Sequence, residues 1–270
     1  MTISVATLAG LAAALLYLVA STLLGRQLAQ RSAPDSRLIL GLGIIALPLH
    51  LICLHAAIYQ PEGLNLGLFH VISLVGWLIA TLAIGMSLYQ PVVSLTLGAF
   101  PLAALGILLS LFLSAPYVPL NALSRGAESH ILLSILAYSV LTIAAAQAVL
   151  LAVQDHQLRQ HKAGILKTLP PLVTMERILF DLIAVGFALL TLAIITGFLT
   201  LQNFFAQHVA HKTAFTLGAW IVFAVLLGGR HWGGWRGATA IRFTLWGFAL
   251  LLLGFYGSKV VLELILHKPA

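Results

Sequence analysis

Residues 228–263 read GGRHWGGWRGATAIRFTLWGFALLLLGFYGSKVVLE. A short stretch rich in Gly, Trp and Arg runs straight into a long apolar segment that carries Lys259 and ends on Glu263. Such a loop belongs at a membrane surface, on the side where Arg and Lys collect, with Trp at headgroup depth. The segment after it is long enough to cross a bilayer. Together they set the direction in which the chain threads a membrane, and so the side its histidines face.

The rest of the chain agrees. Of its 270 residues 61% are hydrophobic and 8% charged, and the mean hydropathy is +1.06. A soluble domain carries about 25% charged residues. This is the composition of an integral membrane protein. The net charge of +7 would elsewhere point to nucleic acid. Here the basic residues are strung between apolar segments, as topology signals are, and the expected partner is the lipid bilayer. The single cysteine, Cys53, lies inside an apolar segment, which excludes an intramolecular disulfide or a Cys-based metal site. The N-terminus has no basic n-region, and its first hydrophobic stretch is too long for a signal-peptide core. It is expected to be retained as the first span.

About 20 apolar residues cross a bilayer as a helix. That measure gives eight candidates, near residues 3–24, 38–57, 67–89, 92–113, 130–153, 178–200, 212–227 and 243–263. The third and fourth are divided only at Tyr89-Gln90-Pro91, and Pro91 suits the first turn of a new helix. The fold class is therefore all-α, a polytopic bundle of about eight transmembrane helices in one integral membrane domain, residues 1–270. With the N-terminus outside, Arg26, Arg31, Arg37, Arg159, Lys162, Lys167, Arg177, Arg230, Arg236 and Arg242 lie at the inner face. Only Arg125, Lys212, Lys259 and Lys268 then lie on or near the outer side. The positive-inside rule thus predicts N-out and C-out. Residues 114–129 read as an outer loop and residues 155–176 as a solvated inner connector.

Ionisable residues inside a membrane are expensive, so each is a functional candidate. In this threading six of the ten histidines fall in the outer half of the membrane or just above it: His50, His55, His70, His130, His208 and His211. A neutral imidazole is a good axial ligand for haem iron and for several divalent metals. Two such ligands from different helices suffice for bis-histidine haem binding. His50 and His55 are five positions apart, about 140° around a helix, so they cannot both face one cavity, and the deeper His50 is preferred. Against this stands the bland reading of a terminal histidine as an interfacial residue, which weighs most on His55, His70 and His208. Lys259 and Glu263 form an i,i+4 pair that can neutralise itself. Glu176, Arg177 and Asp181 read as a polar cluster at the inner face, and Trp232, Trp235 and Arg236 as an aromatic belt or an entry for an anionic amphiphile. There is no HExxH, Cys pair, Walker loop or nucleophile elbow, and the carboxylates are too scattered for a hard-cation cage. No enzyme is expected.

The segment from His208 to Glu263 resembles the C-terminal part of the cytochrome c assembly membrane proteins, and most closely their HemX-like and YpjD-like branch. The matching pieces are His211-Lys212, Trp220, Gly234-Trp235-Arg236-Gly237, Gly247-Phe248 and Tyr256-Gly257-Ser258-Lys259. Upstream, SHILLSILAYSVLTIAAAQ (residues 129–147) is similar to that family's outer-histidine helix, with His130 in the family position. In haem-handling members such histidines ligate haem that is passed to apocytochrome c. The resemblance therefore implies haem as cofactor, a role for His130, and with it His50 and His211, and cytochrome biogenesis proteins as partners. One departure matters: those members carry a WGxxWxWD loop before the penultimate helix, where this chain has QNFFAQHVAH (residues 202–211), with neither Trp nor Asp. The leading expectation is a haem-binding protein with His130, His211, His50 and His70 as candidate ligands. Two others stand beside it: an accessory role in divalent-cation movement, of cobalt or magnesium type, and a structural partner or regulator of another membrane complex.

Overall fold

The computed structural model describes residues 4–30, 32–90, 92–113, 125–160, 170–200 and 210–257. Among them eight helices are long and apolar enough to cross a membrane, as the hydropathy pattern requires. They fall into two compact units, one built on residues 1–121 and one on residues 122–156 and 171–268.

The first unit holds α1 (Val5–Ala29), α2 (Ser36–Ile58), α3 (Leu68–Tyr89) and α4 (Thr96–Phe112), the last preceded by a 3-10 turn at Val93–Leu95. Ser4 caps α1 by accepting the Thr7 N–H at 3.1 Å, and Asp35 caps α2 by accepting that of Leu38 at 3.1 Å. Between α2 and α3 the chain makes a minimal antiparallel hairpin, pairing Tyr59 with Leu64 and Gln60 with Gly63. Hydropathy gave no hint of it. Gly63 has φ +130°, open only to glycine at little cost. Helices α3 and α4 approach closely: a methyl group on Gly76 would lie 3.0 Å from the Ala103 Cα, and one on Gly106 3.0 Å from the Ser73 Cα. Small residues let membrane helices gain van der Waals contact where no hydrophobic drive exists between them.

The second unit holds α5 (Arg125–Arg159), α6 (Leu172–Thr200), α7 (Ala210–Gly233) and α8 (Ala238–Leu252), continued by a π turn at Leu253–Gly257. Where the winding changes, the Tyr138 hydroxyl on α5 donates to the Leu251 carbonyl at 3.0 Å. Trp220 on α7 stacks on Phe187 of α6, ring centroids 5.4 Å apart, and donates its N–H to Thr191 at 2.9 Å.

Several boundaries differ from the apolar count. Residues 125–129, expected in a loop, begin α5, and residues 155–159 and 172–176 extend α5 and α6. The Gly-Trp-Arg stretch is likewise helical as far as Gly233, so the turn is confined to residues 234–237. The physical reason is that hydropathy measures only the part of a helix that fits hydrocarbon. Backbone hydrogen bonding continues into the polar region as long as nothing breaks it.

Candidate functional site

His130 stands in the second turn of α5, partly buried against α6. Its Nδ1 lies 2.8 Å from the Ala193 carbonyl. A carbonyl only accepts, so Nδ1 carries a proton, and in the neutral imidazole the lone pair is then on Nε2. No partner for Nε2 occurs among the described residues. Gly197, one turn beyond Ala193, makes the seat: a Cβ there would come within 3.0 Å of His130 Cε1 and Nδ1. An Nδ1–H anchored on a backbone carbonyl is the arrangement by which proteins orient a ligating imidazole.

The other candidates are placed differently. His50 is fully enclosed in the first unit. Its Nε2 lies 3.0 Å from Ser73 Oγ, and its ring meets that of Tyr17 edge-on at 6.0 Å. His50 Nδ1 and Tyr17 Oη find no hydrogen-bond partner among the described residues. His70 bridges α3 to α4, its Nδ1 2.7 Å from Ser110 Oγ. His55 is exposed and stacks on Tyr59 at 4.7 Å, so the rotation argument separating it from His50 holds. His211 lies in the first turn of α7, but its side chain falls outside the described residues, as do His208, Lys259, Glu263 and His267 in full. His50 and His70 thus belong to one unit, His130 and His211 to the other. Among the described residues no three His, Cys, Asp or Glu side chains gather to hold a metal ion.

At the opposite end of α6 the sequence reading needs correction in its pairings. Glu176 does not join Arg177 and Asp181. Those two form an exposed 4.0 Å pair of their own. The buried Glu176 carboxylate instead accepts from Arg230 Nη1 at 2.9 Å and from the Gly237 N–H at 3.1 Å. Arg230 also donates to the Trp235 carbonyl at 3.2 Å and lies over the Phe180 ring, 4.5 Å from its centroid. One carboxylate therefore holds the end of α7, the turn and the start of α8. Sequence gave Glu176 and Arg230 no common signal, since 54 positions separate them.

The family model for "Cytochrome C assembly protein" matches residues 40–266. The chain belongs to the cytochrome c assembly protein family. The chain is 33% identical over 257 residues to "Inner membrane protein YpjD" of Escherichia coli (strain K12), covering 92% of this chain and 95% of that protein. The same figures hold for its counterpart in Escherichia coli O157:H7. An "Uncharacterized 28.8 kDa protein in nifR3-like 5'region" of Azospirillum brasilense is 28% identical over 155 residues, 56% of this chain and 57% of that protein. No solved structure matches. The match to the family model takes in His50, His70, His130 and His211, and in the second unit it covers the Gly197 seat and the Glu176–Arg230 brace.

Proposed function

We propose that this cytochrome c assembly family member is a non-enzymatic, haem-binding protein of the inner membrane, with His130 Nε2 as an iron ligand. What supports the reading is the setting of one imidazole: Nδ1–H given to the Ala193 carbonyl, with no partner for Nε2 among the described residues. That donor chemistry suits a haem iron, for which a neutral histidine is a strong axial ligand. His211 is the second residue to test, being the other candidate of the same unit. Bound haem would supply the redox or transfer chemistry of the family. The chain's own part is to hold the imidazole, with α6 fixing its tautomer and Gly197 its position.

The test is an absorption spectrum of the detergent-purified protein, oxidised and dithionite-reduced, beside a His130→Ala variant. The expected result is a reduced spectrum of bis-histidine type that is lost or shifted in the variant. A protein that stays colourless after haem supplementation overturns the proposal.

A further inference from the structure

The Ala193 carbonyl that holds His130 is asked for more hydrogen bonds than it has lone pairs. His130 Nδ1 lies 2.8 Å from it. Thr196 Oγ1 lies 3.0 Å from the same oxygen. As an interior residue of α6, Ala193 also gives its carbonyl to the helical ladder, where the donor is the Gly197 N–H. A carbonyl oxygen has two lone pairs, so the three donors compete for it.

The Thr196 hydroxyl is the donor that can withdraw. It carries one proton and faces a second acceptor, the Leu192 carbonyl, at 2.9 Å. Threonine in a helix ordinarily turns its hydroxyl to the carbonyl four residues back. Thr191 and Thr200, on the same helix, do so. Thr191 bonds the Phe187 carbonyl at 2.8 Å, and Thr200 bonds that of Thr196 at 2.8 Å, with Gly197 farther off at 3.4 Å. Thr196 stands instead almost midway between two carbonyls, and one of them is the acceptor of His130.

The coupling this creates has a definite sign. A hydroxyl proton on the Ala193 oxygen draws electron density from it and leaves it a weaker acceptor for Nδ1–H. Turned to Leu192, the same proton leaves the oxygen to the imidazole. The strength of the Nδ1–H bond in turn sets how strongly Nε2 donates to a bound metal. We propose that Thr196 is a positioning residue for His130: through the carbonyl they share, its hydroxyl weakens the Nδ1–H bond and lowers electron donation from Nε2. The consequence at Nε2 rests on the reading of His130 as a haem ligand, whereas the shared carbonyl belongs to the protein alone.

The test compares Thr196→Val, which keeps the shape and drops the hydroxyl, with Thr196→Ser, which keeps the hydroxyl. Thr200→Val is the control, since the acceptors of Thr200 are Thr196 and Gly197. The first readout is nuclear magnetic resonance of haem-free, full-length protein in detergent, labelled with nitrogen-15 histidine. The His130 Nδ1–H proton is the signal that a His130→Gln variant lacks. It should move downfield in Thr196→Val and stay in place in Thr196→Ser and Thr200→Val. The second readout is the midpoint potential of the haem-loaded protein. Thr196→Val should favour the ferric form about threefold, or ~30 mV at 59 mV per tenfold, and Thr196→Ser should restore the wild-type value. A His130 proton unmoved by Thr196→Val overturns the proposal whether or not haem binds, as does an equal shift in Thr200→Val. A moved proton in a protein that takes up no haem sustains the shared-carbonyl coupling and overturns the haem reading alone. A moved proton with an unmoved potential, where haem is lost with His130→Ala, overturns the claim on Nε2.

Discussion

Ser21 on α1 donates its hydroxyl to the Leu97 carbonyl on α4 at 3.2 Å, and Leu97 is the residue whose helical donor would have been the N–H of position 101. Position 101 is Pro101, inside α4, which has no N–H to give. A helix in lipid cannot leave that carbonyl to water, so a neighbouring serine serves it. Ser21→Ala should therefore destabilise the protein by about 1 kcal/mol. The same substitution in a Pro101→Ala background should cost clearly less, because alanine restores the N–H. A double-mutant cycle of denaturation in mixed micelles measures the difference, and equal costs in both backgrounds would sink the account.

Close approach of α3 and α4 yields a second prediction. Gly106→Ala places a methyl group 3.0 Å from the Ser73 Cα, where backbone rather than a flexible side chain must yield. A loss of about 1–3 kcal/mol is expected. Gly41→Ala, with nothing within 4 Å of the added Cβ, should be neutral or slightly stabilising. Thermal melts of the two variants in one detergent give the comparison.

For the Glu176–Arg230 pair the two truncations should be unequal. Removing Arg230 leaves a carboxylate that is only 11% exposed without its charge partner, whereas removing Glu176 leaves a guanidinium that is 37% exposed and can hydrate. Arg230→Gln should cost about 2–3 kcal/mol, and Glu176→Gln nearer 1 kcal/mol. Arg230→Gln should also free the Trp235 carbonyl and change the tryptophan emission. The order of the two melting temperatures decides it.

Gly197 tests the seat of His130 without replacing the imidazole. Under the haem proposal Gly197→Ala should displace the ring and weaken haem retention roughly tenfold, the usual effect of disturbing the support behind a ligand. Retention is read as haem-to-protein ratio after purification, and an unchanged ratio would show that Nε2 is not the ligating atom.

The two histidines of α2 should behave in opposite ways. His55→Ala removes an exposed ring stacked only on Tyr59 and should shift stability by less than about 0.5 kcal/mol. His50→Ala removes a fully enclosed ring and its bond to Ser73, for which about 2–4 kcal/mol is expected. Chemical denaturation of both variants separates the exposed histidine from the enclosed one.

Eight spans, the break at Pro91 and the family were legible in the chain itself. A membrane leaves a signal in every window of some 20 residues, because each span must be apolar to cross hydrocarbon. The family signal is equally local, carried by short runs such as Gly234-Trp235-Arg236-Gly237. His130 was legible as a candidate for the same reason, and so was the separation of His50 from His55, which needs only the helical repeat. What the chain could not disclose was partnership. That Ser21 serves Leu97, that Gly197 seats His130 and that Glu176 answers to Arg230 rather than to its neighbour Arg177 depend on which helix faces which. Apolar residues are spread around most sides of these helices, so periodicity says little about which face meets a neighbour and which meets lipid. Only packing, in which a few glycines and hydroxyls find one another, decides that.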